Sequence, residues 1–326
     1  MDLRRLTQNT GCRLLRGDAL TEITSVCCDS RCAGPGALFV CLPGRHADGH
    51  DFAAQAVTAG AAAVLCTHDV PGLPAGCAVL LAGDPRRAMA ALAARLYGEP
   101  ARAMTMIGVT GTNGKTTTTT LVGELFRATG RTTHVVGNIG YPITATAGIS
   151  KQADVTVAEV SSYQCEGISQ FHPHVGAVLN ITEDHIVRHG SMEVYIAMKR
   201  RIFDRQTAHD VAVFNYDDPT CREMAKGLKA QVAWFSRKEK VPYGAYVADH
   251  HIILKLGEGE QMVCRCDEVY IPGPHNLENA LAAVVITGVM GVPCETMREV
   301  LKTFKGVEHR IEYVRTASRR CGSWTA

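Results

Sequence analysis

The chain has 326 residues, of which 46% are hydrophobic and 20% charged, and a formal net charge of +2. That length suits about two domains with sizeable cores, and the near-balanced charge removes the electrostatic case for nucleic acid or an anionic membrane as partner. No apolar run approaches the ~20 residues of a membrane helix, and the opening Met1-Asp-Leu-Arg-Arg-Leu6 lacks the apolar stretch of a signal peptide.

In chain order, residues 37–42 read as a strand, 52–59 as a helix and 62–66 as a second strand. An Ala-rich helix covers 89–97, opened by Asp84 as N-cap and Pro85 at the first helical position. Residues 98–102 read as a linker. Next comes the most informative segment, Gly108-Val-Thr-Gly-Thr-Asn-Gly-Lys-Thr-Thr-Thr-Thr119. An apolar run (Met104, Met106, Ile107, Val109) precedes it, and Leu121, Val122, Leu125 and Phe126 follow at helical spacing. Strand, glycine loop and helix start are the context of a phosphate-binding loop. Glycines let backbone N–H groups converge on phosphate oxygens, and the helix N-terminus adds partial positive charge. Lys115 is placed to reach the terminal phosphates and the Thr116 hydroxyl to ligate Mg²⁺. Val109 stands where the common pattern has its first glycine; Gly108 and Gly111 flank it.

Further apolar runs at 155–160, 175–179, 211–214 and 232–235 alternate with helical patterns and predict a mostly parallel sheet covered by helices. Glu159, Asn180 and Asn215 fall at strand ends, where ligands of such sheets bind. Residues 247–256 and 263–271 read as a late antiparallel hairpin, and helix returns from His275. Glu159 at its strand end suits Mg²⁺ opposite the loop. His185, in Asn180-Ile-Thr-Glu-Asp-His185, is either a metal ligand or the neighbour of a helix cap. Lys199 lies on a helix over 192–203, and by itself reads as a surface lysine. The Asp217-Asp218 pair reads as a turn. The thirteen cysteines show no paired Cys-x-x-Cys units, which predicts reduced thiols in a cytoplasmic protein rather than a zinc site, including at Cys27, Cys28 and Cys32.

Seven motifs, in order, resemble the Mur ligases, the ATP-dependent amide ligases that build the peptide stem of peptidoglycan. They are Gly111-Thr-Asn-Gly-Lys-Thr116, Gly137-Asn-Ile-Gly140, Glu159-Val-Ser-Ser-Tyr-Gln164, Asn180-Ile-Thr-Glu-Asp-His185, Tyr195 to Lys199, His275-Asn-Leu-Glu-Asn279 and His309-Arg310. The resemblance covers residues 20–315. It implies an α/β chain with a small N-terminal nucleotide-sugar domain (1–102) and a P-loop, mostly parallel-sheet ATP-binding domain (103–312). It further implies ATP and Mg²⁺ as cofactors, with Gly111, Thr112, Asn113, Gly114, Lys115, Thr116 and Thr117 around the phosphates. Asn276 and Asn279 are then expected at the adenine, and Arg310 near the ribose. Thr116, Glu159, His185 and Lys199 become the magnesium residues, with Lys199 matching the family's N-carbamate. Lys115, Lys199, His185 and Asn138 are the expected catalytic set.

Thr24 to Arg31, Pro35 to Val40 and Asp48 to Phe52 resemble the uridine domain of third-residue (diaminopimelate or lysine) adding members, and mark Ser30, Arg31 and His46 for substrate contact. The central motifs instead resemble the D-glutamate-adding members, with UDP-N-acetylmuramoyl-L-alanine and an amino acid as substrates, through an acyl phosphate. D-Glutamate addition is the favoured expectation, because the central domain contacts the reacting carboxylate. A folylpolyglutamate synthase shares the architecture, but residues 20–66 argue against it. Residues 313–326 do not resemble the family's third domain, so a truncated chain that binds nucleotide without turnover is a further expectation. A monomer without membrane insertion completes the set.

Overall fold

A computed structural model describes all residues except 45–46, 100–103, 147–148, 308–311, 318–320 and 326; for 144–145, 312–317 and 321–325 it describes the backbone alone. The chain divides into two compact units, Met1–Pro100 and Ala101–Ala326.

In the first unit, helix α1 (Leu3–Leu6) precedes strands β1 (Arg13–Arg16), β2 (Ser25–Cys27) and β3 (Ala37–Val40). Helix α2 (Ala53–Thr58), β4 (Ala63–Cys66), β5 (Ala78–Leu81) and α3 (Pro85–Leu96) follow. The sheet order is β1-β5-β4-β3-β2. Strands β2 to β5 run parallel and β1 pairs antiparallel with β5. Every residue of β3 and β4 is buried, as an interior parallel strand covered on both faces requires. Alternate residues feed separate cores: Leu38, Val40 and Leu65 on one face, Phe39 and Val64 on the other. Asp84 caps α3 by accepting the Arg87 N–H at 3.0 Å, with Pro85 in the first turn.

The second unit begins β6 (Thr105–Thr110), α4 (Lys115–Ala128), β7 (Thr133–Gly137), α5 (Ile143–Thr146), β8 (Val155–Glu159), α6 (Ser162–Glu166) and β9 (Val175–Val178). It continues α7 (Ile186–His189), α8 (Met192–Arg200), β10 (Val211–Asn215), α9 (Pro219–Met224), β11 (Gln231–Ser236), β12 (Gly244–Ala248), β13 (His251–Lys255) and β14 (Glu260–Arg265). Last come α10 (Pro274–Gly288), α11 (Cys294–Thr303), β15 (Glu312–Ala317) and β16 (Cys321–Thr325). Nine strands form one sheet in the order β14-β13-β12-β11-β10-β9-β6-β8-β7, while β15 and β16 pair as a separate antiparallel hairpin. From β7 to β12 all pairs are parallel. Period-two alternation again splits the sheet: Val155, Val157 and Val213 face the core with α4 and α10, while Ala158 and Phe214 face the other core, which Tyr195 of α8 joins. No helix among the described residues is long and apolar enough to cross a membrane.

The late hairpin differs from expectation. Residues 247–256 contain a reversal at Asp249-His250, and β12, β13 and β14 form a three-stranded antiparallel meander; 266–268 then form a single tight helical turn. Asp249 (φ 46°) and His250 (φ 60°) both take positive φ, as a two-residue turn matched to strand twist requires. With no glycine at either position, Asp249 is the one turn-favouring residue there, a weak signal for a reversal.

Candidate functional site

The sheet order places β6 between β8 and β9, so the loops after three parallel strands meet at one edge. That edge is where the strand order reverses and where ligands of such sheets bind. The phosphate loop follows β6, Glu159 ends β8, and Asn180 lies just past β9.

Gly114, at φ 80°, is the N-cap of α4 and supplies no side-chain cap, which leaves the first-turn amides of α4 to an anion. The loop is tied down from β9. Asn113 N–H donates to Asn180 Oδ1 at 2.8 Å, and Asn180 Nδ2 donates back to the Asn113 carbonyl at 3.1 Å. Thr112 donates to the Thr182 carbonyl (3.1 Å) and accepts the Thr182 N–H (3.0 Å). Lys115 Nζ folds over the loop, donating to the carbonyls of Gly111 (3.1 Å) and Thr112 (2.7 Å).

Glu159 is 2% exposed, and both its oxygens are engaged: Thr116 Oγ1 donates to Oε2 and Asn138 Nδ2 to Oε1, each at 2.8 Å. Gly137 makes this possible. At φ 105°, a Cβ there would stand 2.3 Å from the Glu159 carbonyl oxygen, so only glycine lets β7 turn across the end of β8 and deliver Asn138. Thr116 and Glu159 are hard oxygen donors beside a phosphate loop, a set that suits Mg²⁺.

Lys199, read alone as a surface residue, is 1% exposed. Its Nζ donates to the Gly111 carbonyl at 2.7 Å and lies 4.8 Å from the Tyr195 ring centre. Burial, with Lys115 nearby, pulls its pKa down to about 8. Tyr195 is four residues earlier on α8, hence on the same helix face, and its hydroxyl meets Thr112 Oγ1 at 3.1 Å. Tyr195 opens the Tyr195 to Lys199 motif of the sequence, which gave the tyrosine no role of its own.

His185 starts α7 at φ 54°, pairs with Asp184 at 3.3 Å and packs on the Tyr163 ring at 5.0 Å. Neither it nor Lys199 hydrogen-bonds to Glu159 among the described residues. Asp217 and Asp218 are structural. Asp218 caps α9 and accepts the Ile181 N–H at 2.8 Å, while Asp217 accepts Ser236 Oγ at 2.6 Å.

Asn279 on α10 reaches the loop from the far side: its Oδ1 accepts the Thr118 hydroxyl at 3.2 Å, and its Nδ2 donates to Asn276 Oδ1 at 3.3 Å. Thr118 carried no expectation from the sequence. Thr117 is buried in the first turn of α4. Arg310 and His46 lie outside the described residues. In the first unit, Ser30 and Arg31 line a cavity of about 490 Å³ with Phe39, Phe52 and Gln55. Ser30 Oγ donates to Gln55 Oε1 at 3.0 Å, and Arg31 pairs with Asp29 at 2.6 Å.

The Mur ligase middle domain matches residues 109–287, and the Mur ligase family catalytic domain matches residues 22–97. The chain is 49% identical over 209 residues to the UDP-N-acetylmuramoylalanine--D-glutamate ligase of Clostridioides difficile, covering 64% of this chain and 46% of that protein. It is 50% identical over 210 residues to the ligase of the same name from Alkaliphilus oremlandii, with the same coverage. The chain thus spans about half the length of these relatives. In fold, it is similar to a solved UDP-N-acetylmuramoyl-L-alanyl-D-glutamate--2,6-diaminopimelate ligase (TM-score 0.76, 21% identity, 97% of this chain and 69% of that one). It is also similar to a UDP-N-acetylmuramoylalanyl-D-glutamyl-2,6-diaminopimelate--D-alanyl-D-alanyl ligase from Acinetobacter baumannii (TM-score 0.71, 23% identity, 97% and 71%). The chain belongs to the Mur ligase family.

Proposed function

We propose that this Mur ligase family member serves an ATP-dependent carboxylate–amine ligation in peptidoglycan precursor synthesis, adding D-glutamate to UDP-N-acetylmuramoyl-L-alanine. The observation that carries the reading is the buried Glu159 carboxylate, held by Thr116 and Asn138 at the mouth of the phosphate loop. In this reading ATP phosphorylates the substrate carboxylate, the amino acid's amine attacks the acyl phosphate, and phosphate leaves. Lys115 swings from its loop carbonyls to the terminal phosphates, and the loop amides hold their oxygens. Thr116 and Glu159 hold Mg²⁺, with His185 and Lys199 assigned to a second ion; bound magnesium offsets phosphate charge. Burial favours the neutral Lys199 amine, the form that takes up CO₂ as a carbamate. Asn276 and Asn279 face the adenine and Arg310 the ribose, while Ser30, Arg31 and His46 contact the uridine part of the substrate.

The choice of D-glutamate is supported by the 49% and 50% identical relatives, whose names carry that amino acid. Third-residue addition is the second reading, favoured by the motifs at 24–31, 35–40 and 48–52. The test is phosphate release from ATP and Mg²⁺ with UDP-N-acetylmuramoyl-L-alanine plus D-glutamate, or with the D-glutamate adduct plus diaminopimelate, with products weighed by mass spectrometry. A D-glutamate adduct is expected. Nucleotide binding with no adduct from either pair would remove ligation and keep the nucleotide site.

A further inference from the structure

We propose that His189 is a positioning residue for nucleotide binding: its buried ring holds Tyr195 against the phosphate loop, and through Tyr195 it fixes Thr112. This rests on the reading of that loop as an ATP site, which leaves the histidine without a role.

At the loop, the direction of each hydrogen bond follows from Thr182. The Thr112 hydroxyl has one proton and two lone pairs. It lies 3.1 Å from the Thr182 carbonyl oxygen, which can only accept, so the threonine proton points there. The Thr182 N–H, 3.0 Å away, fills one lone pair. Tyr195 Oη stands 3.1 Å from the same oxygen, so the tyrosine hydroxyl donates to the second lone pair. Thr112 is then fully engaged, and its own carbonyl accepts Lys115 Nζ at 2.7 Å. Moving Tyr195 leaves a buried lone pair unfilled within the loop itself.

Tyr195 is 1% exposed, with Lys199 Nζ 4.8 Å from its ring centre and the His189 ring at 5.4 Å, tilted by 50°. His189 reaches it because the chain turns sharply between α7 and α8. Gly190 takes φ 82° directly after α7, and Ser191 caps α8 by accepting the Val194 N–H at 3.4 Å. The buried imidazole is gripped from its other side by α6. Its ring lies nearly parallel to that of Tyr163 (18°) at 5.7 Å, Nε2 lies 3.0 Å from Ser162 Oγ, and Nδ1 lies 3.6 Å from Glu166 Oε1. His189 is therefore a wedge between α6 and α8. Its contact with Tyr195 is ring against ring, so shape carries it. Removing the imidazole opens a void beside the tyrosine ring and frees the hydroxyl to leave Thr112.

The experiment measures ATP affinity in the presence of Mg²⁺ by calorimetry, for the wild type, His189→Ala, His189→Phe, Tyr195→Phe and the His189→Ala, Tyr195→Phe double variant. Thermal melting establishes that each protein is folded at the titration temperature. His189→Gln, which keeps a polar group for Ser162 but no ring, replaces the alanine variant if that one fails to fold. His189→Ala is expected to weaken binding about three- to tenfold, the scale of one hydrogen bond, and Tyr195→Phe by a similar factor. His189→Phe keeps a flat ring in the wedge and is expected to stay within about twofold of the wild type. The double variant is expected to match Tyr195→Phe within about twofold, because the hydroxyl that His189 positions is already gone. A histidine with a structural role alone would lower the melting temperature and leave ATP affinity where it was. Unchanged affinity in His189→Ala or Tyr195→Phe, a phenylalanine variant at position 189 as weak as the alanine one, or additive losses in the double variant overturns the proposal and leaves the ATP site standing. A wild type that does not bind ATP overturns the phosphate-loop reading and the proposal with it.

Discussion

Gly114→Ala is the most direct probe of how the loop is built. The residue sits at φ 80° and ψ −7°, in the left-handed region, which costs a residue with a Cβ about 1–2 kcal/mol. The new Cβ would also stand 2.2 Å from Asn279 Oδ1 and expel that amide from its place. Expulsion breaks the bonds to Thr118 and Asn276 and leaves buried polar groups unpaired, at about 1–3 kcal/mol. The single substitution is therefore expected to destabilise the second unit by about 2–5 kcal/mol. Asn279→Ala alone loses the same hydrogen bonds and some packing, at about 1–3 kcal/mol. In the double variant the clash is gone, and only backbone strain and the loss of Asn279 remain. Its cost should fall short of the sum of the singles by about 1–3 kcal/mol. Urea unfolding of the four proteins, followed by tryptophan fluorescence, measures this coupling. Additivity within about 0.5 kcal/mol would refute the claim that Gly114 is required for the close approach of Asn279.

Other consequences are open to measurement. Thr119 Oγ1 is buried without a hydrogen-bond partner among the described residues, so Thr119→Val should be neutral or stabilising by up to about 1 kcal/mol in thermal melts; clear destabilisation would mean that the hydroxyl has a partner. Lys199→Met exchanges a desolvated amine for an apolar chain of similar length. Stability should hold or rise, while ligase turnover falls by about 100-fold, the scale of losing one charge-stabilising group. A variant that melts early yet turns over normally would make Lys199 structural. Glu268, hydrogen-bonded by Arg298, the Arg265 N–H and Lys302, has its pKa lowered to about 2. Because the folded value lies below the unfolded one, its contribution is complete above about pH 4.3. That contribution is lost as pH falls toward about 2. Glu268→Gln should therefore show a smaller drop in melting temperature than wild type between those limits, and equal drops would exclude the contribution.

Local sequence determined the elements whose cause is local. The apolar runs of β6, β8, β9, β10 and β11 are strands because parallel strands buried on both faces need unbroken hydrophobicity. The Asp84-Pro85 start of α3 was legible because the cap and the proline act within one turn. So was the phosphate loop, whose glycines, lysine and threonine do their work over a few consecutive residues. The short strands β1, β2 and β7 and the Asp249-His250 reversal escaped, since pairing with neighbours decides them and their own residues signal little, whereas β5 escaped although residues 77–82 form an unbroken apolar run. Burial of Lys199 was equally illegible: a lysine on a helix is a surface residue until other elements close over it. Thr116 and Glu159, 43 residues apart, were already paired as magnesium residues by the resemblance, but tertiary structure alone joined Asn138 to Glu159 and Thr118 to Asn279, across separations of 21 and 161 residues. Such contacts depend on the order of strands in the sheet, and strand order is set by the packing of the whole chain, which no local pattern encodes.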